Sequence, residues 1–161
     1  MTDQIDGKDV EILRKFKRDS RMPMGIIGKD MNISKATVSR RVSKMEEDRV
    51  IRGYSIDVDL SPMGVMKSFV SIQVIGSPVN EVIDMLKELK EIGDIYKTFG
   101  DHNIVCEVYT RNVNELYEMI QSKILTIYSV KNVQVDAIIE KLTLHESADL
   151  NLYSSMLEER E

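Results

Sequence analysis

The chain has 161 residues, 42% hydrophobic and 30% charged, with a net charge of −5, which is room for one ordinary domain or two small ones. No apolar run approaches the roughly 18 residues of a membrane span, and Met1 to Val10 is too polar for a secretory leader. The one cysteine, Cys106, excludes an internal disulfide and a cysteine-rich zinc site, so the chain reads as cytoplasmic, with no membrane partner.

Taken in chain order, Asp6 is an N-cap, flanked by Ile5 and Val10 at the two positions of a hydrophobic staple. Val10, Ile12, Leu13 and Phe16 supply the buried stripe of a first helix, and Lys15, Lys17 and Arg18 suit its C-terminal dipole. Pro23 is placed to open a short second helix to about Met31. Gly25 and Gly28 weaken that helix, so Gly28 is expected where another helix comes close. Asn32 tolerates the left-handed conformation, Ile33 is an apolar plug and Ser34 caps a third helix, Lys35 to about Asp48. Val38, Val42 and Met45 form its narrow apolar stripe.

Charge is distributed unevenly. The first sixty residues carry 13 Lys and Arg against 11 Asp and Glu, and Ser34 to Met45 holds Lys35, Arg40, Arg41 and Lys44 with no acid. A local basic stripe decides phosphate attraction, because screening removes charge beyond about 10 Å. Two helices, a three-residue turn and a basic third helix make a helix-turn-helix. The candidate DNA-binding residues are Lys35, Thr37, Ser39, Arg40, Arg41 and Lys44. Lys35 and Arg40 reach bases or phosphates, Thr37 and Ser39 do either, and Arg41 and Lys44 hold the backbone. Arg41 has a second reading, as an anchor of the fold through a local carboxylate.

Val50 to Val58 reads as a turn and an alternating strand, and Pro62 and Gly64 mark a boundary. Beyond it, Met66–Ile75 alternates as a strand and Val79 to Leu89 keeps helical spacing until Gly93. Strands are expected at Ile95–Phe99 and Ile104–Tyr109 around the connection Gly100–Asn103. Asn112 caps a second helix through Ile124, and Val130–Leu142 is a last strand. The order βαββαβ is ferredoxin-like, with helices on one sheet face and a second face that still carries apolar residues, which a partner should cover. The tail from His145 to Glu161 holds one amphipathic turn or two through Leu150, Leu152, Met156 and Leu157.

The class is therefore α+β: a winged helix-turn-helix domain over 1–53, a strand linker over 54–64, a ferredoxin-like domain over 65–144 and a tail over 145–161. Cys106 alternates with Ile104 and Val108 and reads as core. Two distant histidines make no metal-ligand spacing, and no catalytic set or phosphate loop is present. The chain is expected to be no enzyme and to carry no cofactor or metal. Two alternatives stay open: a metal-dependent winged-helix regulator, and an amino-acid-binding regulatory subunit of a metabolic enzyme.

From residue 4 to about 142 the chain resembles the Lrp/AsnC (feast/famine) transcription regulators. The first domain carries the resemblance at Asp6, Ile12-Leu13, Arg21, Ile33-Ser34, Thr37-Val38, Arg41-Val42, Met45-Glu46, Val50-Ile51 and Gly53-Tyr54. The second carries it at Gly64, Phe69 to Val74, Thr98, Gly100-Asp101 and Asn103 to Glu107. The resemblance implies double-stranded DNA as partner and a homodimer paired sheet to sheet, extended in some members to a tetramer or octamer. It also implies an amino-acid effector bound near the Gly-Asp connection, at Thr98, Gly100, Asp101, His102, Asn103 and Asp136. His102 and Asn103 stand where the family has an aromatic residue and Asp, and Asp136 replaces a Thr. A carboxylate at Asp136 repels an amino acid's own carboxylate, which leaves a different effector, a basic one, or none.

Overall fold

Asp6 starts the first helix as its spacing predicts. In the computed structural model, which describes residues 5–159, its carboxylate accepts the Lys8 and Asp9 N–H groups, and Asp9 returns a bond to the Asp6 N–H. This reciprocal cap opens α1 (Gly7–Arg18). Residue 4, where the resemblance begins, and the last two residues of the tail lie outside the described residues.

Helix α2 is Met24–Asp30, with Pro23 as its cap residue rather than its first helical one. Helix α3 is Lys35–Glu47, capped by Ser34, whose Oγ accepts the Thr37 N–H at 3.0 Å. Between them Asn32 takes φ 54°, the left-handed turn its residue type favours. A Cβ at Gly28 would stand 2.7 Å from the Ile33 carbonyl and 3.3 Å from the Lys35 nitrogen, so the close neighbours are the turn and the start of α3. Ile12, Ile27, Val38, Val42 and Met45 bury together, with Leu13, Phe16, Met31 and Ile33 around them.

Helix α3 ends with Arg49 in the left-handed region, φ 58°. The Arg49 N–H bonds the Glu46 carbonyl and the Val50 N–H bonds that of Met45, the two bonds of a Schellman motif with arginine where glycine is usual. The following strand is not formed. Gly53 to Leu60 has no ladder, and only a short 3-10 turn, Ser61–Met63, precedes the next element. Neither a wing nor a strand linker is present among the described residues; an alternating pattern makes a strand only where a neighbour supplies hydrogen bonds.

The second unit holds β1 (Met66–Val74), α4 (Val79–Leu86), β2 (Ile92–Lys97), β3 (Ile104–Thr110), α5 (Val113–Met119) and β4 (Val130–Ala137). The sheet order is β2-β3-β1-β4, all antiparallel. Val70, Ile72, Ile104, Cys106 and Val108 bury against Val82 and Leu86 of α4, Leu116 and Met119 of α5, and Ile120 and Ile124 of the π-helical turn Ile120–Ile124. Several boundaries differ from expectation, β2 running Ile92–Lys97 rather than Ile95–Phe99 and α4 ending at Leu86 rather than Leu89. Gly93 lies inside β2 instead of ending a helix, because the Tyr109 ring covers it 2.6 Å from where a Cβ would be. β4 stops at Ala137, five residues short of Leu142.

The sheet's other face carries apolar residues as expected, Phe69 and Val105 among them, together with a charged and hydroxyl-bearing cluster. Glu107 sits at its centre, 2.6 Å from Lys67 Nζ, and accepts the Tyr96 and Tyr109 hydroxyls. Partial burial pushes the Glu107 carboxyl up, but Lys67 and the two tyrosines outweigh it and hold it below the usual value.

The tail forms α6 (Ala148–Glu158). Leu150, Tyr153, Ser154 and Leu157 are its half-buried face, while Leu152 and Met156 are exposed, contrary to expectation. The chain divides into two compact units: residues through Asp57 together with those from Leu142 onward, and Val58–Lys141.

Candidate functional site

The buried stripe of α3 fixes what its opposite face shows. With Val38, Val42 and Met45 inside, helical periodicity turns Lys35, Ala36, Arg40, Ser43 and Lys44 outward, and all five are exposed. Thr37 and Ser39 are half-buried at the margin. The Thr37 hydroxyl shares a 2.8 Å bond with Ser34 Oγ, so part of its bonding capacity serves the helix start. Five of the six expected residues thus lie outside the buried stripe, three exposed and two at its margin.

Arg41 is the exception. Its Nη1 lies 2.9 Å from Asp6 Oδ2 and 2.8 Å from Asp9 Oδ1, and its side chain is only 24% exposed against 11% for Asp9. The guanidinium ties α3 to the cap of α1, in keeping with the fold-anchor reading of Arg41. The reason is geometric: Arg41 sits beside the buried stripe rather than opposite it, within reach of both Asp6 and Asp9 at the start of α1. Burial pushes the Asp6 carboxyl up, but the Asp9 N–H and the Arg41 guanidinium outweigh it and hold it below its ordinary 3.8. Asp6, Asp9, Arg41, Lys44 and Asp48 line a cleft of about 240 Å³ with Ile5 and Met45.

Tyr54 has a structural task that pattern reasoning did not assign. Its hydroxyl donates to Glu46 Oε1 at 2.9 Å and its ring meets Phe16 edge-on at 5.7 Å. Partial burial and then Glu46 push its pKa up to about 12. The chain leaving α3 is thereby pinned back on α1 and α3. No periodicity links Tyr54 to Glu46; only its presence in the resemblance marked it.

The connection between β2 and β3 is held by its own bonds. Thr98 Oγ1 donates to the His102 carbonyl at 2.6 Å, and the Thr98 N–H bonds the Asn103 carbonyl. Asn103 Oδ1 accepts the Val74 N–H at 2.7 Å, while the Asn103 N–H reaches the Ile72 carbonyl. Gly100 and Asp101 are exposed, His102 is half-buried, and Phe99, which residue reasoning did not select, is fully exposed. Asp136 is not brought to this loop. It pairs with Phe69 on the side of β1 away from β3, three residues, roughly 10 Å, along β1 from Ile72. Cys106 is buried, and burial pushes its thiol up to about 11, so it is core rather than nucleophile. Among the described residues no three His, Cys, Asp or Glu cluster as metal ligands, and no helix is long and apolar enough to cross a membrane.

A basic outward face on the third helix of a helix-turn-helix, followed by a βαββαβ unit, has counterparts in known proteins. The AsnC-type helix-turn-helix domain matches residues 5–46, and the Lrp/AsnC ligand binding domain matches residues 67–147. The chain belongs to the Lrp/AsnC family of transcription regulators. It is 32% identical to the HTH-type transcriptional regulator LrpA of Pyrococcus horikoshii over 86% of this chain and 99% of that one. The HTH-type transcriptional regulator Ptr1 of Methanocaldococcus jannaschii is 27% identical over 84% of this chain and 92% of its own. The solved structure of AsnC from E. coli superposes with a TM-score of 0.77 at 25% identity, covering 88% of this chain and 97% of its own. As an Lrp/AsnC regulator, the protein is a DNA-binding helix-turn-helix transcription regulator and not an enzyme, which sets aside both alternatives left open by composition. The ligand-domain match ends at residue 147, one residue before α6.

Proposed function

We propose that this regulator acts in the cytoplasm as a homodimer, or a larger even assembly, that lays two or more copies of α3 into successive turns of the major groove. The observation that carries this reading is the outward face of α3, free of acids from Lys35 to Met45, with Lys35, Arg40 and Lys44 exposed. Lys35 and Arg40 contact bases or phosphates, Ser39 and Thr37 hydrogen-bond at the margin, and Lys44 holds the backbone. Pairing is supported by Gly53–Leu60, an alternating segment with Ile56 80% exposed and no ladder of its own. A twofold dimer predicts half-sites about one helical turn apart, or a multiple of it.

The effector site is the β2–β3 loop, at Thr98, Gly100, Asp101, His102 and Asn103. Gly100 has open space where a side chain would stand and Phe99 projects fully, so the loop has room for a small ligand or a second copy. Asp136 of the same chain is too distant to take part, so its charge no longer argues against an amino-acid carboxylate. Binding of the protein to fragments of its own promoter, with and without a panel of amino acids, tests the reading. An effector shifts the DNA affinity of the wild type and fails to shift that of Asp101→Ala; an equal response in both removes the loop from the site.

A further inference from the structure

The DNA-binding unit is built from both ends of the chain. Arg14 of α1 donates to Asn151 Oδ1 at 3.0 Å and Ser154 Oγ at 2.9 Å, Lys17 lies 2.6 Å from Asp149, and the Tyr153 hydroxyl donates to the Ile5 carbonyl at 3.4 Å. These partners come from the same side of α6 as its half-buried Leu150 and Leu157, at helical spacings of three and four. Each exposed pair is weak by itself. Tethering raises their effective concentration, so together they hold a helix that none would hold alone. The outward residues of α3 stay exposed with α6 in place, so docking does not compete with DNA.

The consequence is topological. The chain passes between its two units twice: once through the segment after Tyr54, which Glu46 and Phe16 pin at its start, and once through residues 138–147, pinned at one end by the Ile138 N–H on the Lys67 carbonyl and at the other by α6. Ten residues span at most about 35 Å. One connection leaves a DNA-binding unit free to turn about it; two that leave from separate points remove most of that freedom. We propose that α6 is a strap that sets which half-site spacing the paired DNA-binding units accept. This rests on the dimer reading above. A restrained pair has a high effective concentration at the matched spacing and a low one elsewhere, whereas a loose pair averages over both.

The test uses the full chain with twelve Gly and Ser residues inserted between Thr143 and Leu144, which leaves α6 free to dock, and a second chain ending at Leu144. The probe is the footprinted site from the protein's own promoter, unchanged, with about 5 bp (half a turn) inserted between half-sites, or cut to one half-site. The wild type should lose about a hundredfold on the half-turn insertion, within the range bivalent binding supplies. The inserted chain should bind the unchanged site about tenfold more weakly, lose little on the half-turn insertion, and bind the single half-site like the wild type. The same steep spacing profile in both altered chains overturns the strap. So does a loss of single-half-site affinity in step with the thermal midpoint, since that marks α6 as a stabiliser only. A wild type that binds one half-site as tightly as two overturns the dimer reading itself, and the strap with it.

Discussion

Arg41 and Arg40 are neighbours in sequence with separate tasks. Arg41 bridges Asp6 and Asp9 at 2.9 and 2.8 Å, so Arg41→Ala strands a nearly buried Asp9 carboxylate and should cost about 2 kcal/mol of stability at neutral pH. Asp6 titrates below its ordinary 3.8 in the folded chain, so the folded state binds its proton less readily than the unfolded one. Its contribution is present in full above that value and is lost as pH falls through the folded one. Thermal denaturation should therefore show the gap between wild type and Arg41→Ala narrowing below about pH 4; a gap independent of pH would deny the ion pair its role. Arg49 offers the opposite sign. At φ 58° a side chain costs about 1 kcal/mol or more that glycine avoids, so Arg49→Gly should raise stability by roughly 0.5 kcal/mol after its extra unfolded-state entropy. A lowered thermal midpoint would mean that the Arg49 side chain has a compensating contact.

At the scale of elements, the α2–α3 turn is a tight joint, with the Ile33 carbonyl close over Gly28. Replacing Gly28 with Ala gains helix propensity, about 1 kcal/mol at most. The new methyl would meet the Ile33 carbonyl at 2.7 Å, a backbone atom that cannot step aside. The turn must open, so Gly28→Ala should lose about 1–3 kcal/mol net and weaken DNA binding, read by denaturant titration and by filter or fluorescence binding. Caps and turn residues made this unit legible: Asp6, Asn32 and Ser34 each act through bonds to residues within a few positions. What depends on distant partners was not legible. Gly93 looks like a breaker until Tyr109 lies on it, and Val50 to Val58 alternates like a strand but forms no ladder among the described residues. The charged cluster around Glu107 needs β1, β2 and β3 side by side before its members meet.

For the whole molecule, the order of elements carried the fold and most of the candidate site. Periodicity, with caps and the Pro62 and Gly64 boundary, separated a helical first third from a βαββαβ remainder, and the outward face of α3 followed from its three buried residues. The tail was the least legible part: its amphipathic stripe is weak, and which unit it joins is decided by Arg14 and Lys17, more than 130 residues earlier.

The central claim is that the outward face of α3 reads DNA while Arg41 holds the fold. It is tested most directly by binding of wild type, Arg40→Ala and Arg41→Ala to the protein's own promoter fragment across a salt series, at a temperature where all three are folded. Arg40→Ala should lose about ten- to a hundredfold in affinity, with a flatter salt slope if its contact is to phosphate, and Arg41→Ala should keep the wild-type slope. Unchanged affinity and slope in Arg40→Ala, with a flattened slope in Arg41→Ala, would contradict the assignment.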